Sequence, residues 1–431
     1  FLEKEKITPE EIRSAIIGIS DELTSFQEQC TQRDKLMERL SAKGLSKVHK
    51  NLLDEAEQEN VIGLYLTRVG YKKMRISSNY IPSEKPFIKG MREQNQSDKL
   101  GDYFPNDEIE KDFQPSPKID CLIFISSDNK EKLFEKQRAL LETRLNKVVK
   151  TSFTQYARID RDDMGNPKEH FGYSEGFSTP VDEEVLARIG LVEEPGGRNT
   201  HGSYVVFRKI EQNVSYFQKM VAELQSNLDN KSKEYAMALL MGRFPNGTPL
   251  AFSDSPNSSG WDAKEETHFI DYSKDKAGHK CPFHAHIRAV NPRHTDSSGK
   301  VVTTPEIIRR SMTYFDGPDK KGLCFLSYQG SIEKNFLPLI ERMGVKNSEP
   351  PTPKNPKTGE SRESITLDAI TYRPRSKKLV GPLSYLKKYD DPSSEIIKQK
   401  IGGRNLTVFK GGEYFFAPSI SFLKNLHKFA E

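Results

Sequence analysis

Three histidines and a cysteine lie within the short segment His279-Lys280-Cys281-Pro282-Phe283-His284-Ala285-His286. Imidazole and thiolate groups are ligands for transition metals, so this density predicts a metal site. The spacing of Cys281 and His284 fits one half of a zinc site, but no second ligand pair follows downstream. A haem iron needs only one protein ligand on its proximal side, and a single imidazole would be sufficient. A chance cluster of surface histidines is the third interpretation.

The bulk composition is that of a water-soluble enzyme or binding protein. The chain has 431 residues, more than one core usually serves, which predicts two domains. Apolar residues make up 35% of it and charged residues 29%, with a mean hydropathy of −0.69. No run approaches the roughly 18 apolar residues that a spanning helix needs, so we expect no membrane partner. The 66 basic and 61 acidic residues are mixed along the chain, which argues against a nucleic-acid partner.

The N-terminus and the cysteines bear on the compartment. The first six residues, Phe1-Leu2-Glu3-Lys4-Glu5-Lys6, show no basic flank with an apolar centre, so no secretion signal is visible. The four cysteines lie far apart, and two of them fall in apolar, strand-like runs; they are Cys30, Cys121, Cys281 and Cys324. This distribution predicts buried thiols without disulfides and a reducing compartment, which we take to be the cytoplasm.

The elements that must position these groups begin with a helical region over residues 8–60. Thr8 is a typical N-cap, Pro9 follows at the first helical position, and apolar residues recur at Ile12, Ile16 and Ile19. We therefore assign residues 1–58 to a helical N-terminal extension. A strand follows at residues 61–66.

The rest of the chain repeats one pattern, a buried strand followed by a helix. The strands are predicted at residues 121–125, 203–207 and 323–326, each with a helical apolar pattern behind it. Strands separated by helices suit an α+β fold of two tandem ferredoxin-like domains, with antiparallel sheets covered by helices on one face. We place the domains at 59–200 and 201–431. The Pro-rich stretch 347–362 predicts an exposed loop.

Three segments resemble the dye-decolorizing peroxidase family. The run Cys281-Pro282-Phe283-His284-Ala285-His286-Ile287-Arg288-Ala289-Val290-Asn291-Pro292-Arg293 resembles the family's axial-histidine segment, with His286 at the proximal haem ligand. The run Phe171-Gly172-Tyr173-Ser174-Glu175-Gly176-Phe177-Ser178-Thr179-Pro180 is similar to its distal acidic motif. The run Ile307-Ile308-Arg309-Arg310-Ser311-Met312-Thr313-Tyr314 resembles the segment that supplies the distal arginine.

Weaker matches extend the resemblance from about residue 60 to the end of the chain. They are Phe87-Ile88-Lys89-Gly90-Met91 with Leu100-Gly101-Asp102, Gly242-Arg243-Phe244-Pro245-Asn246-Gly247, Gly322-Leu323-Cys324-Phe325 with Tyr328-Gln329, and Gly411-Gly412-Glu413-Tyr414-Phe415-Phe416. The resemblance implies haem b (iron protoporphyrin IX) held mainly by residues 201–431. It also implies a peroxide-dependent oxidoreductase that reduces hydrogen peroxide and takes single electrons from phenolic or dye-like donors.

The resemblance also implies roles for three distal residues. Glu175 would move a proton between the two peroxide oxygens, and Arg309 would stabilise charge on the breaking bond and pair with a haem propionate. Ser311 matches the small polar residue that follows the distal arginine. The family has Asp where this chain has Glu175, and the extra methylene lengthens the side chain by roughly 1.5 Å. Either the loop that carries Glu175 is displaced by a similar amount, or Arg309 makes the larger contribution to catalysis.

Several further residues receive roles from the same resemblance. Leu323 and Phe325 match apolar distal-pocket residues, although strand residues of this kind are also ordinary core. Arg288, in the axial segment, is predicted to contact the cofactor. Asp368 or Glu363 would accept a hydrogen bond from the second nitrogen of His286, unless each is a solvated charge. Trp261, the only tryptophan, is a candidate for surface electron transfer, with a structural role as the alternative.

Two other functions remain open at this point. A non-enzymatic haem carrier would use the same His286 pocket, and a zinc-stabilised binding protein would use Cys281, His284 and His286. The peroxidase interpretation requires hydrogen peroxide and small aromatic reductants as partners. The sequence leaves oligomerisation open.

Overall fold

The computed structural model describes 18 stretches of the chain. They are residues 7–42, 60–96, 109–113, 119–151, 153–161, 167–174, 185–195, 200–229, 231–256, 270–276, 278–292, 294–295, 301–302, 306–344, 368–371, 383–387, 394–399 and 406–431. The Pro-rich stretch 347–362 lies outside them, so its predicted loop stays a prediction.

The described part of the chain contains both helices and strands. The α-helices are α1 Pro9–Ile19, α2 Phe26–Ala42, α3 Arg68–Lys73, α4 Lys85–Lys89, α5 Met91–Gln96, α6 Lys130–Arg138, α7 Val214–Asn227, α8 Lys233–Met241, α9 His286–Val290, α10 Leu337–Gly344 and α11 Ile420–Lys424. The strands are β1 Val61–Leu66, β2 Cys121–Ser126, β3 Val192–Glu193, β4 His201–Gln212, β5 His294–Thr295, β6 Val301–Val302, β7 Ile308–Arg309, β8 Met312–Gly317, β9 Lys320–Gln329, β10 Leu383–Leu386, β11 Ile396–Gln399 and β12 Thr407–Ala417.

The first helix begins where the sequence predicts it. The Thr8 hydroxyl accepts a hydrogen bond from the Glu11 amide, and the Glu11 carboxylate accepts one from the Thr8 amide, which is a complete capping box. Pro9 stands at the first helical position, and Ile12, Ile16 and Ile19 are buried on one face. The helical interpretation of this N-terminal region is confirmed for the described residues.

The central sheet is antiparallel and has eight strands. Its main order is β2-β1-β12-β4-β9-β7, with β3 added beside β4 and β8 beside β9. Strands from both sides of residue 200 belong to it, because β12 lies between β1 and β4. The α+β class with antiparallel strands is therefore confirmed, while the division into domains at residues 59–200 and 201–431 stays a prediction.

The three predicted strand–helix units are present. β2 leads into α6, whose N-cap is Asn129, and β4 leads into α7, whose N-cap is Asn213. β9 leads into a wide π-helical turn at Ile332–Phe336 that continues as α10. Each N-cap side chain accepts a hydrogen bond from a backbone amide, so local capping interactions define where these helices begin.

The core contains two large apolar clusters. The first joins α1, β1, β12 and the turn before α10, and the second is built on α7 and α8 and includes Ile370 and Tyr385. Ile287 of α9 packs against the second cluster. In the part of the chain that the structure describes, no helix is long and apolar enough to cross a membrane.

Candidate functional site

His286 is the first residue of α9, and its side chain meets a buried acid. The Nδ1 atom lies 2.7 Å from Oδ2 of Asp368, whose side chain is 0% exposed. A hydrogen bond to a carboxylate places the proton on Nδ1 and leaves the lone pair of Nε2 available to a metal. Asp368 is thus the acidic partner that the sequence proposed for His286; Glu363, its rival, lies outside the described residues.

Asp368 is itself held firmly in place. Its Oδ1 accepts the amide of Ile370 at 2.8 Å, and its Oδ2 accepts the hydroxyl of Thr371 at 2.5 Å. Burial alone would raise the pKa of Asp368, but His286 and these donors hold that pKa below its usual value. Asp368 is therefore a charged acceptor with a fixed direction, which orients the imidazole ring.

His284, two residues earlier, is buried in an apolar setting. Its ring packs edge-on against Tyr385, with centroids 4.8 Å apart, and burial lowers its pKa to about 3. The backbone carbonyl of His284 accepts the amide of Ala369, next to Asp368. His284 is thus a neutral packing residue beside the His286–Asp368 pair.

The zinc alternative finds no support in this geometry. Among the described residues, no group of three His, Cys, Asp or Glu side chains is arranged to hold a metal ion. Cys281 is fully buried, and burial raises the pKa of its thiol to about 12. The described cysteines Cys30, Cys121, Cys281 and Cys324 are free thiols, with Cys324 buried and Cys121 only half-buried.

Arg288 is buried and contacts the loop before α9. Its side chain is 4% exposed, and its Nη1 lies 2.7 Å from Oδ2 of Asp275. Nη1 and Nη2 also donate to the carbonyls of Cys281 and Asp275. The predicted contact of Arg288 with the cofactor stays a prediction, whereas these contacts tie it to the loop before α9.

The distal candidates share one face of the sheet. Arg309 on β7 pairs with Ser327 on β9, and Met312 pairs with Cys324 in the same register. Ser311 therefore lies opposite Phe325. Because side chains opposite each other in an antiparallel pair point to the same face, the geometry groups four of the predicted residues. They are Arg309, Ser311, Leu323 and Phe325.

These residues differ in how exposed they are and in which groups they contact. Arg309 is half-buried, whereas its neighbour Arg310 is exposed and bonds to the Arg309 carbonyl. The Ser311 hydroxyl is buried and has no hydrogen-bond partner among the described residues. Phe325 is half-buried and its ring lies 6.2 Å from that of Phe336, so it contributes to the core as well as to this face.

The loop that leads to Glu175 is anchored next to the distal strands. His170 Nε2 lies 2.9 Å from the carbonyl oxygen of Tyr314 on β8. Ser174, the last described residue before Glu175, donates its amide to Pro245 and accepts a hydrogen bond from Arg243. His170 thus lies beside the strands that carry Arg309 and Ser311, and Ser174 is held by the turn at Arg243 and Pro245. Glu175 and Trp261 lie outside the described residues.

Two buried acids, Glu169 and Asp275, are not identified by any motif in the sequence. Glu169 accepts the amides of Phe171 and Tyr173, each at 2.8 Å, and Asp275 accepts three successive amides before α9. Both stand next to polar residues and look solvated in the sequence. A carboxylate a few residues before a Gly-containing turn is the only local signal, and it is a common one.

Comparisons with known proteins agree on one family. The model of the Dyp-type peroxidase C-terminal domain matches residues 166–351. The multifunctional dye peroxidase DyP2 of Amycolatopsis sp. is 30% identical over 304 residues, which cover 61% of this chain and 61% of that protein. The dye-decolorizing peroxidase msp1 of Mycetinis scorodonius is 26% identical, over 60% of this chain and 56% of its own length. The chain therefore spans about three fifths of these curated relatives.

A solved structure covers more of the molecule. The crystal structure of a DyP-type peroxidase from Anabaena sp. superposes with a TM-score of 0.75 at 27% identity, over 98% of this chain and 89% of that one. The segment that matches the family model includes His286, Arg309, Ser311, Leu323 and Phe325. Sequence, fold and the grouping of these residues agree: residues 166–351 match the Dyp-type peroxidase C-terminal family model, and the chain is similar to dye-decolorizing peroxidases over most of its length.

Proposed function

We propose that this protein is a haem-dependent peroxidase that reduces hydrogen peroxide and oxidises phenolic or dye-like donors by one-electron steps. The observation that carries the proposal is the pair of His286 and Asp368, joined at 2.7 Å. An imidazole that donates one nitrogen to a buried carboxylate is a typical axial ligand, because the carboxylate makes the other nitrogen a stronger donor. The similarity to dye-decolorizing peroxidases supports the same activity.

The residues present fit haem b. One imidazole nitrogen of His286 is committed to Asp368, and no described residue hydrogen-bonds to the other. The hydroxyl of Ser311, buried without a described partner, suits a site that is completed by a cofactor or its water. Leu323 and Phe325 on the same sheet face would exclude water from the distal side. When bound, haem supplies the iron chemistry that splits the peroxide bond.

The protein's own groups have distinct tasks in this proposal. His286 would hold the iron through Nε2, and Asp368 would hold the ring and its proton in place. Arg309 is a fixed cation on the distal face, where it orients peroxide and stabilises negative charge on the departing oxygen. Glu175 receives a proton from the inner peroxide oxygen and delivers it to the outer one. This last role rests on the motif and on the anchored loop that precedes Glu175.

The test is a spectrum of the haem-reconstituted full chain before and after one equivalent of hydrogen peroxide. We expect a Soret band that changes on mixing and returns when a phenolic donor such as 2,6-dimethoxyphenol is added. His286→Ala should lose the Soret band, and retained haem would move the ligand elsewhere. A Soret band inert to peroxide would instead favour a haem carrier, and a colourless protein with tightly bound zinc would revive the zinc alternative.

A further inference from the structure

We propose that Asp275 and Arg288 are positioning residues for His286. They form one buried unit that fixes the loop before α9 and the helix itself, and thereby fixes where the imidazole meets the haem iron. This inference rests on the proposed function, in which His286 is the axial ligand. It assigns Arg288 a role through His286 in place of direct contact with the cofactor.

Asp275 organises the loop from one side. Its Oδ1 accepts the amides of His279 at 2.7 Å and Lys280 at 3.2 Å, and its Oδ2 accepts the amide of Cys281 at 2.9 Å. The residue is 8% exposed. Three successive amides that converge on one buried carboxylate constrain the backbone path of this loop, because losing it would leave buried donors unpaired.

Arg288 closes the loop from the helix side. Its Nη1 donates to Oδ2 of Asp275 at 2.7 Å and to the carbonyl of Cys281 at 2.5 Å, and its Nη2 donates to the carbonyl of Asp275 at 2.7 Å. The guanidinium carbon lies 4.4 Å from the ring centroids of both Tyr272 and Phe283. A side chain that lies against two aromatic rings and also donates several directed hydrogen bonds has to be arginine, since lysine lacks the flat, forked head.

His286 lies between the two points that this unit holds. Cys281 is held in place five residues before His286. Arg288 is held in place two residues after His286, on the same short helix α9. α9 has five residues, and its N-cap Ala285 makes no side-chain hydrogen bond, so local helix stability cannot set its orientation. Asp368 orients the imidazole ring, but the ring's position follows the backbone. Asp275 and Arg288 supply the constraint on that backbone.

The experiment is a titration of the full chain with hemin, followed by the Soret band, for Asp275→Asn and Arg288→Lys. An asparagine replaces one acceptor oxygen with an amide that cannot accept, and a lysine keeps the charge without the fork. We expect each variant to bind hemin about 10–100-fold more weakly, the range seen when residues behind a metal ligand are replaced. Asp120→Asn is the matched control, since Asp120 is also a buried acid in an ion pair, with Lys73 at 3.0 Å.

A second arm separates positioning from general damage to the fold. In His286→Gly, imidazole added to the buffer can bind the iron without being attached to the loop. If Asp275 acts through His286, then Asp275→Asn should not weaken hemin binding further in that background. An equal loss in both backgrounds would overturn the inference, as would unchanged hemin affinity of both variants in the wild-type background. Failure of the wild-type chain to bind hemin would overturn the proposed function along with it.

Discussion

The imidazole of His286 and the carboxylate of Asp368 meet at 2.7 Å although 82 residues separate them in the chain. Asp368 is fully buried, so this contact is made in a setting of low polarity where a charged hydrogen bond is strong. The pair fixes both the direction of the ring and the position of its proton. It follows that Asp368 should control the strength of His286 as an iron ligand.

We therefore expect Asp368→Asn to retain less haem and to react with peroxide about 10–100-fold more slowly. A neutral partner donates less electron density to the imidazole, so the reduction potential of the bound haem should become more positive. Spectroelectrochemistry of the reconstituted protein measures that potential directly. Asp120→Asn, at a buried acid elsewhere, should leave it unchanged, and an unchanged potential in Asp368→Asn would contradict the assignment.

Arg309 and Arg310 provide a matched pair on the distal side. Arg309 lies in the strand ladder opposite Ser327 and is half-buried, whereas Arg310 is exposed. Arg309→Leu should keep its Soret band and lose about 100–1000-fold in the second-order rate with hydrogen peroxide, the range expected for a missing donor to developing charge. Arg310→Leu should be close to wild type. A larger loss in Arg310→Leu than in Arg309→Leu in stopped-flow measurements would show that the alignment is off by one residue, and equal losses would contradict a specific role for Arg309.

The two serines of this sheet face should respond to alanine with opposite signs. Ser311 has a buried hydroxyl without a described partner, whereas the Ser327 hydroxyl donates to Gln329 Oε1 at 2.9 Å. In the haem-free protein, Ser311→Ala should raise the unfolding free energy by about 1 kcal/mol, and Ser327→Ala should lower it by a similar amount. Denaturant unfolding measures both. Equal destabilisation would mean that the Ser311 hydroxyl is satisfied in solution.

The sequence was most informative where residue type and short-range spacing carry the signal. The start of α1 at Thr8 and Pro9 and the strand–helix units are local patterns, and the structure confirms them. His286 and Arg309 were found because each lies inside a motif. Their roles follow from the family resemblance, and the structure adds the register that places Arg309, Ser311 and Phe325 together.

Other parts of the site depend on contacts that no local pattern encodes. Asp368 could not be separated from Glu363 by sequence, because only the folded chain determines which acid reaches His286. Asp275 resembles a solvated charge until the fold places Arg288 against it. Burial of a carboxylate is decided by distant residues that supply its donors, so tertiary structure has to reveal it.

The loop before Glu175 gives a prediction about Glu169. The Glu169 carboxylate accepts hydrogen bonds from the backbone amides of Phe171 and Tyr173. It also accepts one from the side-chain amide of Gln212 at 2.5 Å. Glu169→Gln leaves one acceptor oxygen, so it should lower the unfolding free energy by about 1–3 kcal/mol and slow the peroxide reaction.

Glu194→Gln is the control for Glu169→Gln, because Glu194 is a buried acid that holds the amide of Ser419. This control should destabilise the fold without affecting the peroxide rate. Amide exchange at residues 171–174 should rise only in Glu169→Gln. A peroxide rate that falls equally in both variants would show a general effect of stability.

His170 gives the protein a defined pH dependence. Burial lowers its pKa below the ordinary value of 6.5, even though its Nε2 hydrogen-bonds to the Tyr314 carbonyl. Between the two pKa values the unfolded chain binds more protons than the folded one, so the unfolding free energy rises with pH in that window and falls as the pH drops below about 6.5. His170→Gln keeps a donor but does not titrate. The difference in unfolding free energy between wild type and His170→Gln should therefore change between pH 7.5 and 5. Denaturant unfolding measures this difference, and His427→Gln, at an exposed histidine, is the control. A gap that stays constant across that range would exclude His170 as the group responsible.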